Sequence, residues 1–259
     1  MNDNNLIEEN NLSKAWAKAF LRLMKSSGGS ISPLIVSVQG LTNNSIPEDE
    51  KIRNALSEEL CIHRESKIDT IAGTIFPTSF WNHDKKRKLL YERYLRCWPR
   101  IKKSCSANRR GTYFYRLIEY GKNNQSVNQL EHIISTWQLG THRHSALQAS
   151  IFNPELDHTK QRQLGFPCLQ QISLNAQGTN GRDGLTIVGF YANQHIFEKA
   201  YGNYLGLSLL GQFLAQEMGL YLKEMICISS VAKLGNYSKN SLKNLEDNLK
   251  NLFPQVESK

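Results

Sequence analysis

The feature that most constrains the fold is an ordered series of apolar segments in the second half of the chain. Residues 166–174 and 185–191 have the composition of strands, and a turn-rich segment joins them. A long apolar helix is predicted over 202–218, followed by a strand over 225–230. Because the chain shows no internal repeat, low-complexity linker or change of composition, this series favours a single α+β domain over residues 1–259.

The remaining elements follow from periodicity and from turn residues. Pro99 is expected to end the helix that precedes it. The tail, residues 238–259, is charged and amphipathic, with leucines at helical spacing. The other predicted elements are helices over 12–25, 48–60, 84–98 and 126–137, and strands over 33–38 and 145–152.

Composition and cysteine content define the broad class of protein. The chain has 259 residues, of which 40% are hydrophobic and 21% charged, as in a globular protein with a sizeable core. No segment approaches the roughly eighteen apolar residues of a membrane span, so no membrane association is expected. The start of the chain has neither the basic residues nor the apolar stretch of a secretory signal. The five cysteines are odd in number and lack CxxC spacing, so reduced thiols and a cytoplasmic location are expected.

The net charge of +9 is concentrated in one segment. Residues 85–116 contain twelve Lys or Arg residues and a single acid, Glu92. Such a segment can attract a nucleic acid, a nucleotide or an acidic protein partner. The alternative is that the run from Lys85 to Lys88 is only a solvated helix face. The basic segment alone does not decide function.

Cys168, which follows Pro167 at the head of a predicted strand, is the candidate nucleophile. A cysteine attacks as the thiolate and therefore needs positive charge or hydrogen-bond donors nearby. Without them it is a small, inert hydrophobe. Asn203, after Gly202 at the start of the long helix, carries an amide that can donate and accept together, as reading a polar heterocycle requires. Asn203 is equally suited to cap that helix, so both alternatives stay open.

The order and spacing of these segments resemble the catalytic half of thymidylate synthases. The resemblance covers about residues 108–235, whereas residues 1–107 fit only loosely. The segments that carry it are Gly111-Thr112-Tyr113 with Arg116, Asn128-Gln129-Leu130 with Ile133 and Ile134 before Arg143, Pro167-Cys168, Tyr191, and Gly202-Asn203.

This resemblance implies an α+β fold in which helices flank a mixed sheet, with a homodimer formed through the sheet. It further implies that Cys168 adds to C6 of a pyrimidine nucleotide while Asn203 reads the uracil edge. C5 of the ring would then take a one-carbon unit from methylenetetrahydrofolate. The other site residues that it implies are Tyr113 as a catalytic group and Tyr191, Arg143, Arg116 and Gln170 as substrate contacts. His195, which stands in the place of the family's aspartate, is a candidate acid or base, and a structural histidine is the alternative. No metal site is expected.

The chain also departs from the pattern of that family. The histidine after the catalytic cysteine is replaced by Leu169, and the phosphate-binding arginine falls at Ala192. The folate-contacting aspartate falls near Gln194 or His195, and residues 229–234 lack the His-x-Tyr pair that holds the deoxyribose. Each loss removes a charge-assisted hydrogen bond worth roughly 1.5–3 kcal/mol, and a micromolar affinity amounts to about 8 kcal/mol. Ordinary dUMP methylation is therefore not expected.

Three hypotheses of function follow. The first is a divergent pyrimidine C5 one-carbon transferase that uses Cys168 as its nucleophile. The second is a nucleotide-binding relative that has lost catalysis and acts as a sensor or as a subunit of a multi-protein system. The third is a basic protein that associates with nucleic acid through residues 85–116. The chain contains no dinucleotide-binding, phosphate-loop, zinc-protease or nucleophile-elbow motif that would favour other chemistry.

Overall fold

In the computed structural model the chain forms helices packed against mixed sheets. The structure describes residues 5–121, 126–140, 143–158, 160, 167–177 and 184–252. The strands are β1 (Leu6–Glu9), β2 (Ser30–Ile31), β3 (Leu34–Val38), β4 (Gln148–Ser150), β5 (Leu169–Gln177), β6 (Gly184–Tyr191), β7 (Gln194–His195), β8 (Tyr221–Ser229) and β9 (Ala232–Lys233). The helices are α1 (Leu12–Lys25), α2 (Glu50–Ile62), α3 (Ile68–Ile75), α4 (Arg87–Ser104), α5 (Tyr113–Ile118), α6 (Gln129–Gln138), α7 (Pro154–Asp157), α8 (Tyr201–Glu217) and α9 (Lys243–Leu252).

The main sheet is mixed and has the strand order β1-β3-β8-β6-β5-β4. β1 pairs parallel with β3 and β6 pairs parallel with β8, whereas the other neighbours are antiparallel. Register shifts interrupt β5 between Leu169 and Gln171 and β6 between Leu185 and Thr186. β2, β9 and β7 form a second, smaller sheet. The predicted α+β class, with a mixed sheet flanked by helices, is confirmed.

The strongest periodic signals in the sequence became the elements predicted from them. Helix α1 covers Leu12–Lys25, and the Asn11 side chain accepts the Lys14 N–H at 3.1 Å, which satisfies one of the free donors at the helix start. β6 and α8 lie within a residue of their predicted bounds. The strand predicted over 145–152 is shorter, since only Gln148–Ser150 pairs with β5.

Helix α4 corrects one prediction, because Pro99 does not end it. The helix continues to Ser104 with Pro99 in its interior. Proline in a helix typically costs about 3 kcal/mol, since it lacks an N–H and crowds the carbonyl four residues earlier. Beyond Pro99, Ile101 packs on the core, and just before it Trp98 stacks on Tyr115 with ring centroids 4.0 Å apart. Tertiary packing on both sides of the proline keeps the last turns helical.

Helix α8 is buried on two sides, which explains its apolar composition. On one side, a Cβ at Gly202 would lie 2.6 Å from Ile71 Cβ, so α3 and α8 approach closely. On the other, a Cβ at Gly211 would lie 3.0 Å from Ile187 Cγ2 in the sheet. Glycines at these positions permit backbone contacts that any side chain would block. The apolar core extends from Ile7 in β1 to Leu249 in α9.

The face of the main sheet that points away from α8 carries apolar side chains. Phe190 in β6 is 41% exposed, although it lies in the middle of the sheet. The strand register places Ile228 between Ile35 and Phe190, and Ile226 beside Val188. We call these five side chains the open face. Among the described helices, none combines the length and the apolar character needed to cross a membrane.

Candidate active site

Cys168 lies at the start of β5, beside the end of β6. Its carbonyl accepts the Ala192 N–H at 3.0 Å, and the next residue, Leu169, pairs with Tyr191. The thiol is half-buried against the core. Burial raises the pKa of Cys168, and the Lys199 cation opposes this increase only in part. The thiol rather than the thiolate is therefore favoured at neutral pH, and activation depends on what else enters the site.

Tyr113 is brought to Cys168 by the start of α5. Thr112 caps this helix, because its hydroxyl accepts the Tyr115 N–H at 3.2 Å. The Tyr113 hydroxyl is hydrogen-bonded by the backbone of Cys168 and Leu169. Burial raises the pKa of Tyr113, although these backbone donors pull it down in part, so the group stays a neutral phenol. The structure thus brings together two residues, Tyr113 and Cys168, that are 55 positions apart in the sequence.

Tyr191 ends β6 with a hydroxyl that has no hydrogen-bond partner in the described part of the chain. The side chain is fully buried. Burial raises the pKa of Tyr191 well above its ordinary value, and the nearby Cys227, Tyr113, Cys168 and Tyr204 raise it further. A buried hydroxyl without a partner typically costs about 1–3 kcal/mol. Tyr191 is therefore a polar group in position to accept a partner that the described residues do not provide.

Asn203 lies in the first turn of α8 at the same end of the sheet. A Cβ at Gly189 would lie 2.7 Å from Leu207 Cδ1, while Gly211 faces Ile187, so α8 runs antiparallel to β6. One turn before Leu207, Asn203 is thereby placed level with the end of β6, where Cys168 also lies. Asn203 is only 5% exposed. It is not the residue that caps the helix, because the helix begins at Tyr201 and its cap position is Ala200.

We call Cys168, Tyr113, Tyr191 and Asn203 the cysteine end of the sheet. Three different parts of the fold, β5–β6, α5 and α8, place all four near one end of these strands. Each of the four carries a polar group. Together they provide a sulfur, two phenols and an amide, which is a set able to bind one small polar ring.

His195 points to a different partner. Its Nδ1 lies 2.7 Å from Glu198 Oε1, and the second carboxylate oxygen of Glu198 is buried without a hydrogen-bond partner in the described residues. Gln194 is buried as well, and its Oε1 accepts the Ser229 hydroxyl at 2.7 Å. The Tyr204 hydroxyl donates to the same oxygen at 3.4 Å.

These contacts bear on the folate that the resemblance implies. The aspartate that would contact it was expected near Gln194 or His195. The Gln194 amide is committed to Ser229 and Tyr204, and the His195 ring is committed to Glu198. Neither position offers a free carboxylate, so Gln194 and His195 do not provide the folate contact that the resemblance implies.

The two arginines predicted to contact the substrate lie in different surroundings. Arg116 is buried, and its guanidinium donates to Asp157 at 2.6 and 2.8 Å, to the Ile151 carbonyl at 2.9 Å and to the Arg110 carbonyl at 3.1 Å. These protein acceptors occupy the group, so the proposed ligand role for Arg116 is not supported. Arg143 is exposed and precedes a short 3-10 turn.

Gln170, the last predicted contact, is half-buried in β5 and donates to the Pro167 carbonyl. This bond fixes the backbone on either side of Cys168. Residues 161–166, which immediately precede Pro167-Cys168, lie outside the described residues.

Lys199 is a site residue that was not predicted. It is the cation that stabilises the Cys168 thiolate, and it also lies 3.8 Å from Glu65. The signal was present, since Lys199 precedes Asn203 by four residues and so shares one side of the helical segment with it. The π-helical turn Ile196–Ala200, which carries Lys199 into α8, has no comparable sequence signal.

No protein-family model matches this chain, and a search of curated proteins finds no match. Within the described ranges, no group of three or more His, Cys, Asp or Glu side chains has the geometry to hold a metal ion.

Proposed function

We propose that this protein binds a pyrimidine nucleotide, or a pyrimidine within a larger molecule, at the cysteine end, and that Cys168 adds to C6 of the ring. The observation that carries the proposal is the fully buried Tyr191 hydroxyl, which has no partner in the described residues and lies beside Cys168 and Tyr113. A protein gains stability by removing such a group unless a ligand satisfies it.

The pyrimidine ring matches the polar atoms available. The Asn203 amide can donate to O4 and accept from N3–H together, which distinguishes uracil from cytosine. The phenols of Tyr191 and Tyr113 add donors that do not ionise at neutral pH. A ring inserted between them would place its C5–C6 edge against the sulfur, as the resemblance to thymidylate synthases implies.

The addition step begins when the Cys168 thiol loses its proton to water. The Cys168 thiolate forms an S–C6 bond, and the electron pair of the C5–C6 double bond moves toward O4 as an enolate. C5 then takes a proton from water, and loss of the original C5 hydrogen with release of sulfur restores the ring. The net result is exchange of the C5 hydrogen with solvent. We derive no one-carbon transfer, because the residues at 194 and 195 do not fit the folate.

A catalytically inactive nucleotide sensor is the second candidate. The raised pKa of Cys168 favours it, because a buried neutral thiol is a poor nucleophile. In that case the cysteine end would still bind a pyrimidine, with the thiol acting only as a contact. The two candidates share the site and differ in the chemistry at C5.

One experiment separates these outcomes. Native mass spectrometry against a panel of uridine and cytidine nucleosides and nucleotides would detect binding, and NMR in heavy water would follow loss of the C5 proton. We expect uridine ligands to bind, and C5 exchange to disappear in Cys168→Ala while binding persists. Binding without exchange in the wild type would identify the sensor. Absence of binding by any pyrimidine would overturn both candidates.

We also infer that two copies associate through the open face. Phe190 and its four aliphatic neighbours form an apolar strip at the centre of the sheet, and polar residues of β4 and β5 border it. The resemblance implies a homodimer through the same surface. Phe190→Asp should convert a dimer to a monomer in sedimentation experiments, whereas a wild-type monomer at tens of micromolar would contradict the inference.

A further inference from the structure

The cations between residues 85 and 110 are mostly exposed. We call this segment, which comprises α4 with its preceding loop and the following 3-10 turn Ser106–Arg110, the basic arm. Arg87 is half-buried and binds Glu131 at 2.7 Å and Glu217 at 3.1 Å. Glu92 is the single acid of the arm from residue 85 onward, and it lies 3.8 Å from Lys88. The other cations are exposed: Lys85, Lys86, Arg93, Arg96, Arg100, Lys102, Lys103, Arg109 and Arg110.

An open concavity of about 280 Å³ lies at the end of the arm. It is lined by Trp98, Lys102, Arg109, Arg110, Gly111, Tyr115 and Leu156. Cations and flat aromatic rings therefore meet in one recess. The Trp98 and Tyr115 rings are stacked, with an interplanar angle of 18°.

Gly111 keeps this recess open. Its φ of +101° is disfavoured for residues with a side chain, and a Cβ there would lie 3.1 Å from Tyr115 Cδ1 and 3.1 Å from Arg116 Cγ. Arg116, which is fixed by its ion pair with Asp157, lies next to Gly111. The recess is thus built on a rigid support rather than on mobile side chains alone.

A stripe of cations follows the outer side of α4. Arg93, Arg96, Arg100 and Lys103 follow one another by three or four residues, so they share one side of the helix and are exposed. Trp98 and Lys102, which line the concavity, lie on another side of α4, because successive residues are turned by about 100° around a helix. A ligand that uses both features therefore has to cross the last turn of the helix, where Lys102 is followed by Lys103. The stripe covers about 15 Å of helix, which exceeds the reach of one phosphate group.

We propose that the basic arm binds single-stranded nucleic acid, with a base in the concavity beside Trp98 and with the strand crossing the last turn of α4, so that its phosphates reach the stripe. Positively charged grooves with an aromatic surface are the usual means of holding unpaired strands, because every base can stack and every phosphate can pair. A mononucleotide would leave the stripe without an anion. An acidic peptide would pair with the cations through its carboxylates and would leave the aromatic recess empty. This site is separate from the cysteine end and does not depend on the proposed function.

The test is fluorescence anisotropy with a labelled 16-nucleotide oligothymidylate at several salt concentrations. We expect the affinity to fall steeply with salt, by about 0.7 logarithmic units of affinity per logarithmic unit of salt for each phosphate contacted. The triple variant R93Q/R96Q/R100Q should bind at least about tenfold more weakly and lower that slope by roughly 2. A matched control, K25Q/K51Q/K223Q, removes three exposed charges elsewhere and should change the affinity less than about twofold.

The aromatic recess has its own readout. Oligonucleotide binding should quench tryptophan emission, and Trp98→Phe should abolish most of the quenching and weaken binding about fivefold or more. K102Q/R109Q should also weaken binding while leaving the far-UV spectrum unchanged. Cys168→Ala should bind the oligonucleotide as the wild type does, so failure of the nucleotide proposal and failure of this one are distinguishable.

Three outcomes would overturn the proposal. One is equal loss of affinity in the control and stripe variants, which would indicate net charge alone. Another is competition by polyglutamate at the same charge concentration, which would indicate an acidic protein partner. The third is tighter binding of duplex than of single strands with no effect of Trp98→Phe, which would indicate that no base enters the recess.

Discussion

At the cysteine end, polar groups are buried among apolar side chains and carry no charge, whereas along the basic arm cations project into solvent. Tyr191 and Tyr113 keep their protons because burial raises their pKa values, and the Cys168 thiol is shifted in the same direction. Arg109 and the other cations of the arm listed above are exposed to solvent. The first region can select a ligand by shape and hydrogen bonds, and the second by charge. Substitutions should therefore affect folding stability at the cysteine end and salt-dependent binding along the arm.

The largest expected effect concerns two arginines that border the concavity region but differ in burial. Asp157→Asn should lower the free energy of unfolding by about 3–5 kcal/mol, because Arg116 would keep its charge in a buried position without a carboxylate. Arg109→Gln should change it by less than about 0.5 kcal/mol, since that side chain is exposed. Urea unfolding of both variants measures the contrast. If both variants lowered the free energy of unfolding equally, the exposed Arg109 side chain would stabilise the fold as much as the buried ion pair does.

The same pair predicts a pH dependence. Burial opposes ionisation of Asp157, but the hydrogen bonds from Arg116 outweigh it, so the folded-state pKa is lowered. The stabilisation is therefore complete above the ordinary aspartate pKa of about 4 and is lost as the pH falls through the lower folded-state value. Between neutral pH and the folded-state pKa of Asp157, the free energy of unfolding should therefore fall less in Asp157→Asn than in the wild type, as measured by urea unfolding at a series of pH values.

A smaller effect tests how tightly the cysteine end is supported. Gly202→Ala should cost about 1–3 kcal/mol, because its Cβ would lie 2.6 Å from Ile71 Cβ and 2.8 Å from the Ile68 carbonyl oxygen. The same change should weaken pyrimidine binding, since Asn203 is the next residue. Gly73→Ala, a control in α3 with no described atom within 4 Å, should instead stabilise by up to about 1 kcal/mol. Chemical unfolding and native mass spectrometry give the two readouts.

Each region contains one buried tyrosine hydroxyl without a described partner, and this allows a direct comparison. Tyr191→Phe at the cysteine end and Tyr91→Phe in α4 should each raise the free energy of unfolding by about 1 kcal/mol. Tyr191→Phe alone should weaken pyrimidine binding. If both variants lost affinity, or if neither did, the Tyr191 hydroxyl would not be a specific contact to the ligand.

The smallest expected effect concerns Lys199. Lys199→Met removes the cation that favours the Cys168 thiolate, so the alkylation rate of Cys168 at pH 8 should fall roughly two- to threefold. Lys102→Met in the arm should leave that rate unchanged. Iodoacetamide labelling followed by peptide mass spectrometry measures both, and the exposed Cys105 serves as an internal reference. An unchanged rate in Lys199→Met would indicate that solvent screens the pair completely.

The elements with strong local signals could be predicted from the sequence, and those that depend on distant partners could not. Helix α1 combines an amphipathic pattern with Asn11 as its cap, and β6 is a continuous apolar run. By contrast, β1 is four residues long with two acids, and its strand conformation depends on pairing Leu6 with Ile35. The continuation of α4 past Pro99 also rests on tertiary packing.

The candidate site divides in the same way. The spacing of Cys168, Tyr191 and Asn203 follows from one β-β-α series, so their placement at one end of the sheet could be anticipated. The contact between Tyr113 and the Cys168 backbone, and the capture of Arg116 by Asp157 41 residues away, depend on how separate segments meet. No local pattern encodes those distances. The raised pKa of the thiol follows from burial and is likewise a property of the folded chain.

The two edges of the main sheet bear on how copies of this chain can assemble. Outermost strand β4 offers only three residues, two of them polar and exposed, and at the opposite edge Arg22 donates to the Leu6 carbonyl of β1 at 2.7 Å. Short or blocked edges resist the addition of a further strand. Lateral growth into an extended fibril is thereby discouraged. If two copies met through the open face, as we propose, the same surface of both chains would be used up, so the contact would close at two chains and would not continue to a third through that face.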